Sequence, residues 1–390
     1  MQSNYLKSQF LLKEGITYLN FGAFGACPKP VFERYQQYQL ELEQEPTQFI
    51  TVNGLQYLRQ SREALAAFLN CNSDDVVYVT NPSYGVNIVA KSFPLKEGDE
   101  VLTSNLEYGA CDRTWSYYCE KKGAKYVRQE IKFPIQSKED FIEQFLNGLT
   151  SKTRIVFLSH ITSSTGLRLP IEEICAIAKQ KGLITFVDGA HAPGQLPINL
   201  GTLNVDFYTG ACHKWMLTPK GSSFLYVKKE LQNLCDPLLI SWGYKSARPS
   251  HSQFLDYHQL QGTRDFSAFL TVPAAIGFMK ENNWSEVAQN CRAIAMSNAD
   301  RFRDLLKTEP LHNSKGDFIF QMCSTLIKTK QPEQLHQLLF VKYNIEIPVM
   351  QHNNMTLLRY SIQAFNSQQD LDILYNALED IIKTTNLVDL

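Results

Sequence analysis

Between residues 55 and 227, short β-branched runs alternate with longer amphipathic stretches, and this constrains the fold more than any other feature. The runs predict strands at Val76–Thr80, Glu100–Ser104, Lys125–Gln129, Arg154–Ser159, Ile184–Asp188, Val205–Thr209 and Ser223–Val227. The stretches Leu55–Leu69, Gly85–Ser92, Ala110–Lys122, Lys138–Leu146 and Ile171–Gln180 carry apolar residues near the helical period. Successive parallel strands need a crossover between them, and a helix is the usual one. Segments such as Ile-Val-Phe-Leu and Ile-Thr-Phe-Val are apolar on both faces, as a sheet covered on both sides requires. The expected class is therefore α/β, with a mostly parallel seven-stranded sheet.

The alternation stops near residue 230. Helical patterns at Phe266–Lys280 and Trp284–Leu306 precede a strand at Asp317–Met322, a helix at Pro332–Tyr343, a strand at Leu357–Gln363 and a closing helix at Ser367–Lys383. That order describes a smaller α+β unit. We divide the chain into a large domain, 15–265, and a small C-terminal domain, 266–390 with 1–14, which includes the connecting helices. A length of 390 residues with 44% hydrophobic content leaves ample core for both.

Charge narrows the partners. With 38 Lys+Arg against 39 Asp+Glu, neither a phosphate-backbone binder nor a polybasic membrane anchor is expected. No run approaches the roughly 18 apolar residues of a membrane helix, and the first residues show no export signal. The nine cysteines are odd in number and contain no Cys-x-x-Cys; with Cys111 and Cys119 the closest pair, no zinc site is expected. Reduced, mostly buried thiols in a soluble cytoplasmic protein are the reading.

In parallel α/β sheets, ligands bind beyond the carboxyl ends of the strands. Strand Ile184–Val187 runs into Asp188-Gly189-Ala190-His191. Strand Val205–Thr209 leads to Gly210-Ala211-Cys212-His213-Lys214-Trp215 and then Pro219-Lys220-Gly221. One strand-loop-strand excursion separates Asp188 from Lys214, so an acid and an amine can meet in one cleft. These segments, with Asn20-Phe21-Gly22-Ala23-Phe24-Gly25 near the start and Leu358-Arg359-Tyr360-Ser361 near the end, resemble class V of the fold-type-I pyridoxal-phosphate enzymes, in the isopenicillin N epimerase-like branch. The resemblance spans nearly the whole chain.

The resemblance implies pyridoxal 5′-phosphate, with Lys214 as the Schiff-base lysine. Asp188 would keep the ring nitrogen protonated and His191 would contact the phenolic oxygen. The phosphate needs donors at a helix start, which Asn81-Pro82-Ser83-Tyr84-Gly85 supplies. Relatives usually carry a small residue and then Thr where this chain has Ser83 and Tyr84. His213 and Thr263 are further phosphate candidates, and in relatives the Thr263 segment comes from the partner subunit, implying a homodimer with shared active sites. Ala211 stands where relatives often carry a hydroxyl or amide. Tyr108 takes the place of the aromatic plate over the ring. Arg359 would grip the substrate α-carboxylate through paired hydrogen bonds. Ser163 lies near cofactor and substrate, and Asn20 and Phe24 line the entrance.

The reaction stays open between outcomes at Cα. Epimerisation needs a second proton donor opposite Lys214; loss of a β-substituent gives a lyase; protonation on the cofactor carbon gives transamination. Cysteine desulfurases of the class carry a nucleophilic cysteine on a loop shortly before the substrate arginine. Glu346–Met355 contains none, and Cys323 sits in an apolar predicted strand. The leading expectation is an epimerase-like enzyme acting on an amino acid or derivative. The alternatives are a C–S lyase on a cysteine derivative and a non-catalytic cofactor-binding protein.

Overall fold

The computed structural model describes residues 2–390. Its strands, in chain order, are β1 (Thr17–Tyr18), β2 (Val76–Val79), β3 (Glu100–Ser104), β4 (Lys125–Gln129), β5 (Thr153–Ser159), β6 (Ile184–Asp188), β7 (Phe207–Ala211), β8 (Ser223–Val227), β9 (Met322–Leu326), β10 (Ile345–Glu346), β11 (Val349–His352) and β12 (Met355–Ser361). Strands β2 to β8 form one sheet in the order β2-β8-β7-β6-β5-β3-β4. The neighbours from β4 through β7 pair in parallel, while β8 runs antiparallel to both β7 and β2. Six carboxyl ends therefore share one edge with the amino end of β8.

Burial follows the residue pattern. Every residue of β2, β3, β7 and β8 is buried, as apolar two-faced strands require, whereas β4 lies at the edge and exposes Lys125 and Arg128. Trp115, Phe157, Phe186 and Phe207 pack one face, and Tyr78, Leu158, Val187 and Tyr208 belong to the core on the other. Helices Gly54–Leu69, Pro82–Ser92, Gly109–Lys122, Lys138–Leu146 and Ile171–Gln180 cover the two faces.

All seven predicted strands of this sheet form, and β7 is displaced by two residues from its predicted span. Asp206 explains the displacement. Its carboxylate accepts bonds from the backbone amide and hydroxyl of Thr185 on β6, so the β6–β7 ladder starts only at Phe186 and Phe207. The strand consequently reaches Ala211, immediately before the turn that bears Lys214.

The smaller sheet is antiparallel, in the order β11-β12-β9. The predicted strand at Asp317–Met322 does not form. Lys315–Phe318 is a helical turn, and the carbonyl of Phe318 and the backbone of Ile319 bond instead to Arg168 and Leu167; the strand is β9. The predicted helix Phe266–Lys280 divides into Ser267–Leu270 and Val272–Glu281, because Pro273 supplies no amide and Thr271 turns its hydroxyl onto the Ala268 carbonyl. The stretch before Arg359 is a hairpin, β11–β12, closed by Asn353 and Asn354, with Asn353 at φ 52°. Near the amino end, β1 pairs in parallel with β10.

Candidate active site

A cavity of about 460 Å³ opens at the shared edge of the large sheet. Eight of the sequence-predicted residues line it: Phe24, Ser83, Tyr108, Ser163, Asp188, His191, His213 and Lys214. Asn20 and Arg359 stand behind Ser163, while Tyr84 and Thr263 are not part of the lining.

Lys214 sits in the turn after β7, and two contacts orient its surroundings. Its Nζ lies 3.3 Å from His191 Nε2, and Trp215 Nε1 donates to His191 Nδ1 at 3.3 Å. An indole nitrogen can only donate, so Nδ1 is an acceptor and the neutral ring carries its proton on Nε2, facing the amine. Burial, reinforced by the Lys214 charge, holds His191 well below its ordinary range. Burial lowers Lys214 to about 8, partly opposed by the Asp188 charge. A neutral amine, the nucleophilic form, is thus accessible near physiological pH. Gly25 brings the amino-terminal segment over this turn: its φ is +65°, and a Cβ there would collide with the His213 carbonyl.

Asp188 closes β6 and is 3% exposed. The Ala190 amide donates to its Oδ1 at 2.9 Å and the Cys111 thiol to its Oδ2 at 3.4 Å. Burial raises its pKa, and the Ala190 amide and Lys214 charge oppose the rise. A weak thiol donor leaves Oδ2 able to accept a stronger bond from a cationic N–H in the cavity.

On the opposite side stands the amino end of helix Pro82–Ser92. Asn81 caps it by accepting the Tyr84 amide at 2.9 Å, and Pro82 has no amide, which leaves the Ser83 N–H for an anion. The helix approaches β7 so closely at Gly85 that a Cβ would sit 2.7 Å from Thr209 Oγ1. The Tyr84 hydroxyl points elsewhere, donating to Gln261 Oε1 at 3.4 Å, and Thr263 is exposed. His213 Nδ1 meets the Ser222 carbonyl at 2.9 Å, so Nδ1 holds the proton in the neutral ring. Burial lowers His213 to about 4, and an anion at Nε2 would reverse that.

Arg359, on β12, is 2% exposed. Its guanidinium donates from Nη1 to the Ser163 carbonyl and from Nη2 to Asn20 Oδ1 at 3.4 Å, and its buried Nε has no partner. Glu346 fixes the Asn20 amide by accepting from Nδ2 at 2.9 Å, which turns Oδ1 toward the arginine. Among the described residues no carboxylate forms an ion pair with Arg359. Burial lowers its pKa to about 10. A buried cation held only by neutral acceptors is costly, and an anionic ligand relieves the cost. Phe24, 67% exposed, and Tyr108, 48% exposed, stand at the mouth.

Three contributors escaped the sequence reading. Cys111, in sequence no more than a buried thiol, touches Asp188; Ser159, in the cavity lining, donates from its amide and hydroxyl to the buried Glu107 behind it. The position of Glu107 beside Tyr108, between a strand and a helix, was the available signal. All nine cysteines are unpaired. Cys323 is buried in β9 with its thiol pushed up to about 11, and the hairpin before Arg359 is tied to the large domain by His352 and Asn353, which both reach the Asn105 carbonyl. Among the described residues no cluster could hold a metal ion, and no helix is long and apolar enough to cross a membrane.

The family model Aminotransferase class-V matches residues 17–374. An isopenicillin N epimerase of Amycolatopsis lactamdurans is 30% identical, covering 97% of this chain and 98% of its own length. An L-cysteine desulfhydrase of Arabidopsis thaliana is 25% identical over 95% of this chain and 88% of its own. Among solved structures, the cysteine desulfurase CsdA of Escherichia coli superposes with a TM-score of 0.81 at 21% identity, covering 99% of both chains. The cystine C–S lyase C-DES, in complex with its product cysteine persulfide, gives 0.79 at 21% identity, covering 94% of this chain and 98% of its own. At those identities the structures establish the fold: large and small domains arranged as in fold-type-I enzymes.

Proposed function

This chain belongs to the class-V aminotransferase family of pyridoxal-phosphate enzymes, and from that premise we propose that Lys214 holds the cofactor in an epimerase-like enzyme acting at Cα of an amino acid or derivative. One observation carries the reading. A lysine whose pKa burial lowers to about 8 shares a cavity with a buried carboxylate, and a buried arginine without an acidic partner stands behind the cavity wall.

The residues fit the group. Asp188 Oδ2 would hold the ring-nitrogen proton, and His191 Nε2–H would donate to the phenolic oxygen. The Ser83 amide and His213 Nε2 would hold the phosphate, and Tyr108 would cover the ring face. When bound, the cofactor draws electrons from Cα and so acidifies the α-proton. Arg359 binds the substrate carboxylate, with Asn20 held against it by Glu346, which turns the Cα–H bond toward Lys214. Lys214, freed from the cofactor when the substrate's amine takes its place, would be the base for that proton. Phe24 narrows the mouth against water.

We further propose a homodimer in which Thr263 of one copy serves the cavity of the other. The exposure of Thr263 and its absence from the lining of its own cavity support this. Ala211 adds no side-chain donor at the end of β7, so the phosphate depends more on the helix amide and on the second copy. Nine unpaired cysteines fit a reducing compartment, which we take to be the cytoplasm.

A second reading, C–S lyase on a cysteine derivative, has its support in the desulfhydrase relatives and in the thiol-free hairpin before Arg359. Borohydride reduction of the loaded protein followed by peptide mass analysis tests the cofactor lysine, with the added mass expected on Lys214. Solvent deuterium appearing at Cα without product marks epimerase chemistry; pyruvate and sulfide release marks the lyase. A loaded protein that does neither across an amino-acid panel is a non-catalytic binder.

A further inference from the structure

Glu107 is a buried carboxyl group, 3% exposed, that the reaction sketched above does not use. It occupies the turn between β3 and helix Gly109–Lys122 and is engaged on both oxygens. Ser104 Oγ donates to Oε1 at 2.7 Å, while the Ser159 amide and hydroxyl donate to Oε2 at 2.8 and 2.6 Å. Ser159 lines the cavity and is the register partner of Asp188 across β5 and β6. One turn beyond Glu107, the Cys111 thiol rests on Asp188. Three donors and no cation address this carboxyl among the described residues.

The ring end of the cavity must accommodate two nitrogens that can be cationic, that of Lys214 and that of the cofactor ring, with Asp188 as the one acid in the lining. A second carboxyl group just behind the wall, protonated while the cavity holds no cation and ionised when one enters, can supply the missing charge without touching either nitrogen. The groups facing Glu107 are Asp188 from β6, the Cys111 thiol from the following helix and the Tyr126 phenol from β4, none of them cationic. Burial, with a smaller contribution from Asp188, pushes Glu107 up to about 8, so its charge is sensitive to cations arriving in the cavity.

We propose that Glu107 is a positioning residue of the cofactor site: its carboxylate, held by Ser104 and Ser159 beside Asp188, favours protonation of the cofactor's nitrogens. The proposal rests on the cofactor reading above. Its geometry survives Glu107→Gln, because the Gln carbonyl can accept both Ser159 bonds while its amide donates to the Ser104 hydroxyl. That variant removes the charge and keeps the shape.

The test is a pH titration of the visible cofactor band in the loaded native protein, Glu107→Gln and Ser104→Ala. Loss of a nearby anion disfavours the protonated form, so the midpoint should fall by about half a unit or more in Glu107→Gln. Ser104→Ala removes one donor to Glu107 without altering the cavity lining and should lower the midpoint by less. A loaded Glu107→Gln protein with the native midpoint overturns the proposal. Should that variant not load, an unmoved midpoint in Ser104→Ala overturns it equally. A native protein with no visible band sinks the cofactor reading itself and this proposal with it.

Discussion

The floor of the cavity and the wall backed by Arg359 are built on opposite principles. On the floor, Asp188, His191 and Lys214 sit at the ends of ladder-paired strands, and each has a protein partner: Ala190 and Cys111, Trp215, and His191 in turn. On the wall, Arg359 rides a hairpin of the small domain and has only neutral acceptors, Ser163 and Asn20. The wall meets the large domain through single bonds, such as Ser324 Oγ to the Ser164 carbonyl at 2.8 Å and His352 to the Asn105 carbonyl at 2.8 Å. On the floor, then, each polar side chain is met by a neighbour within the large domain. On the wall the buried guanidinium is left without a counterion, at some cost in stability, which the proposed carboxylate ligand would relieve.

The largest effect expected is on the floor. Lys214→Ala should lower turnover by ~10³-fold or more and abolish borohydride-fixed cofactor, because both the anchoring amine and the base are lost. Retained turnover would show that the floor is not the chemical centre. Next comes the wall. Arg359→Leu should raise KM for a carboxylate substrate by about 10- to 100-fold while leaving the visible cofactor band in place. The same variant should leave the melting temperature of the cofactor-free protein unchanged or higher, since an uncompensated buried charge disappears. A marked fall in melting temperature would mean that Arg359 is structural.

A third measurement separates the two regions by pH. The Glu107 carboxyl is raised from an ordinary 4.5 to about 8 in the folded chain. Between those values the folded state holds a proton that the unfolded state releases, so stability falls as pH rises through that window. Melting temperatures of the cofactor-free protein should decline less steeply from pH 4.5 to 8 in Glu107→Gln than in the native protein. Equal slopes would place the proton elsewhere. Smallest is the hairpin: His352→Ala should change KM by about two- to fivefold, because Asn353 still reaches the same carbonyl. A change in turnover with constant KM would instead tie the hairpin to the floor.

The alternation of strands and helices, the two strand ends bearing Asp188 and Lys214, and the helix start after β2 were all legible in the sequence. These features rest on periodicity and turn chemistry within about ten residues, and local backbone preferences decide them. Where a short apolar run had two homes, the sequence misled: Asp317–Met322 reads as a strand, yet Phe318 and Ile319 bond to Arg168 and Leu167. Tertiary structure alone decided which groups meet. Cys111 lies 77 positions from Asp188 and Ser163 lies 196 from Arg359, and no local pattern encodes such contacts. Nor could sequence show that Arg359 is stripped of water without a counterion, because burial is a property of the assembled chain and charge a property of the residue.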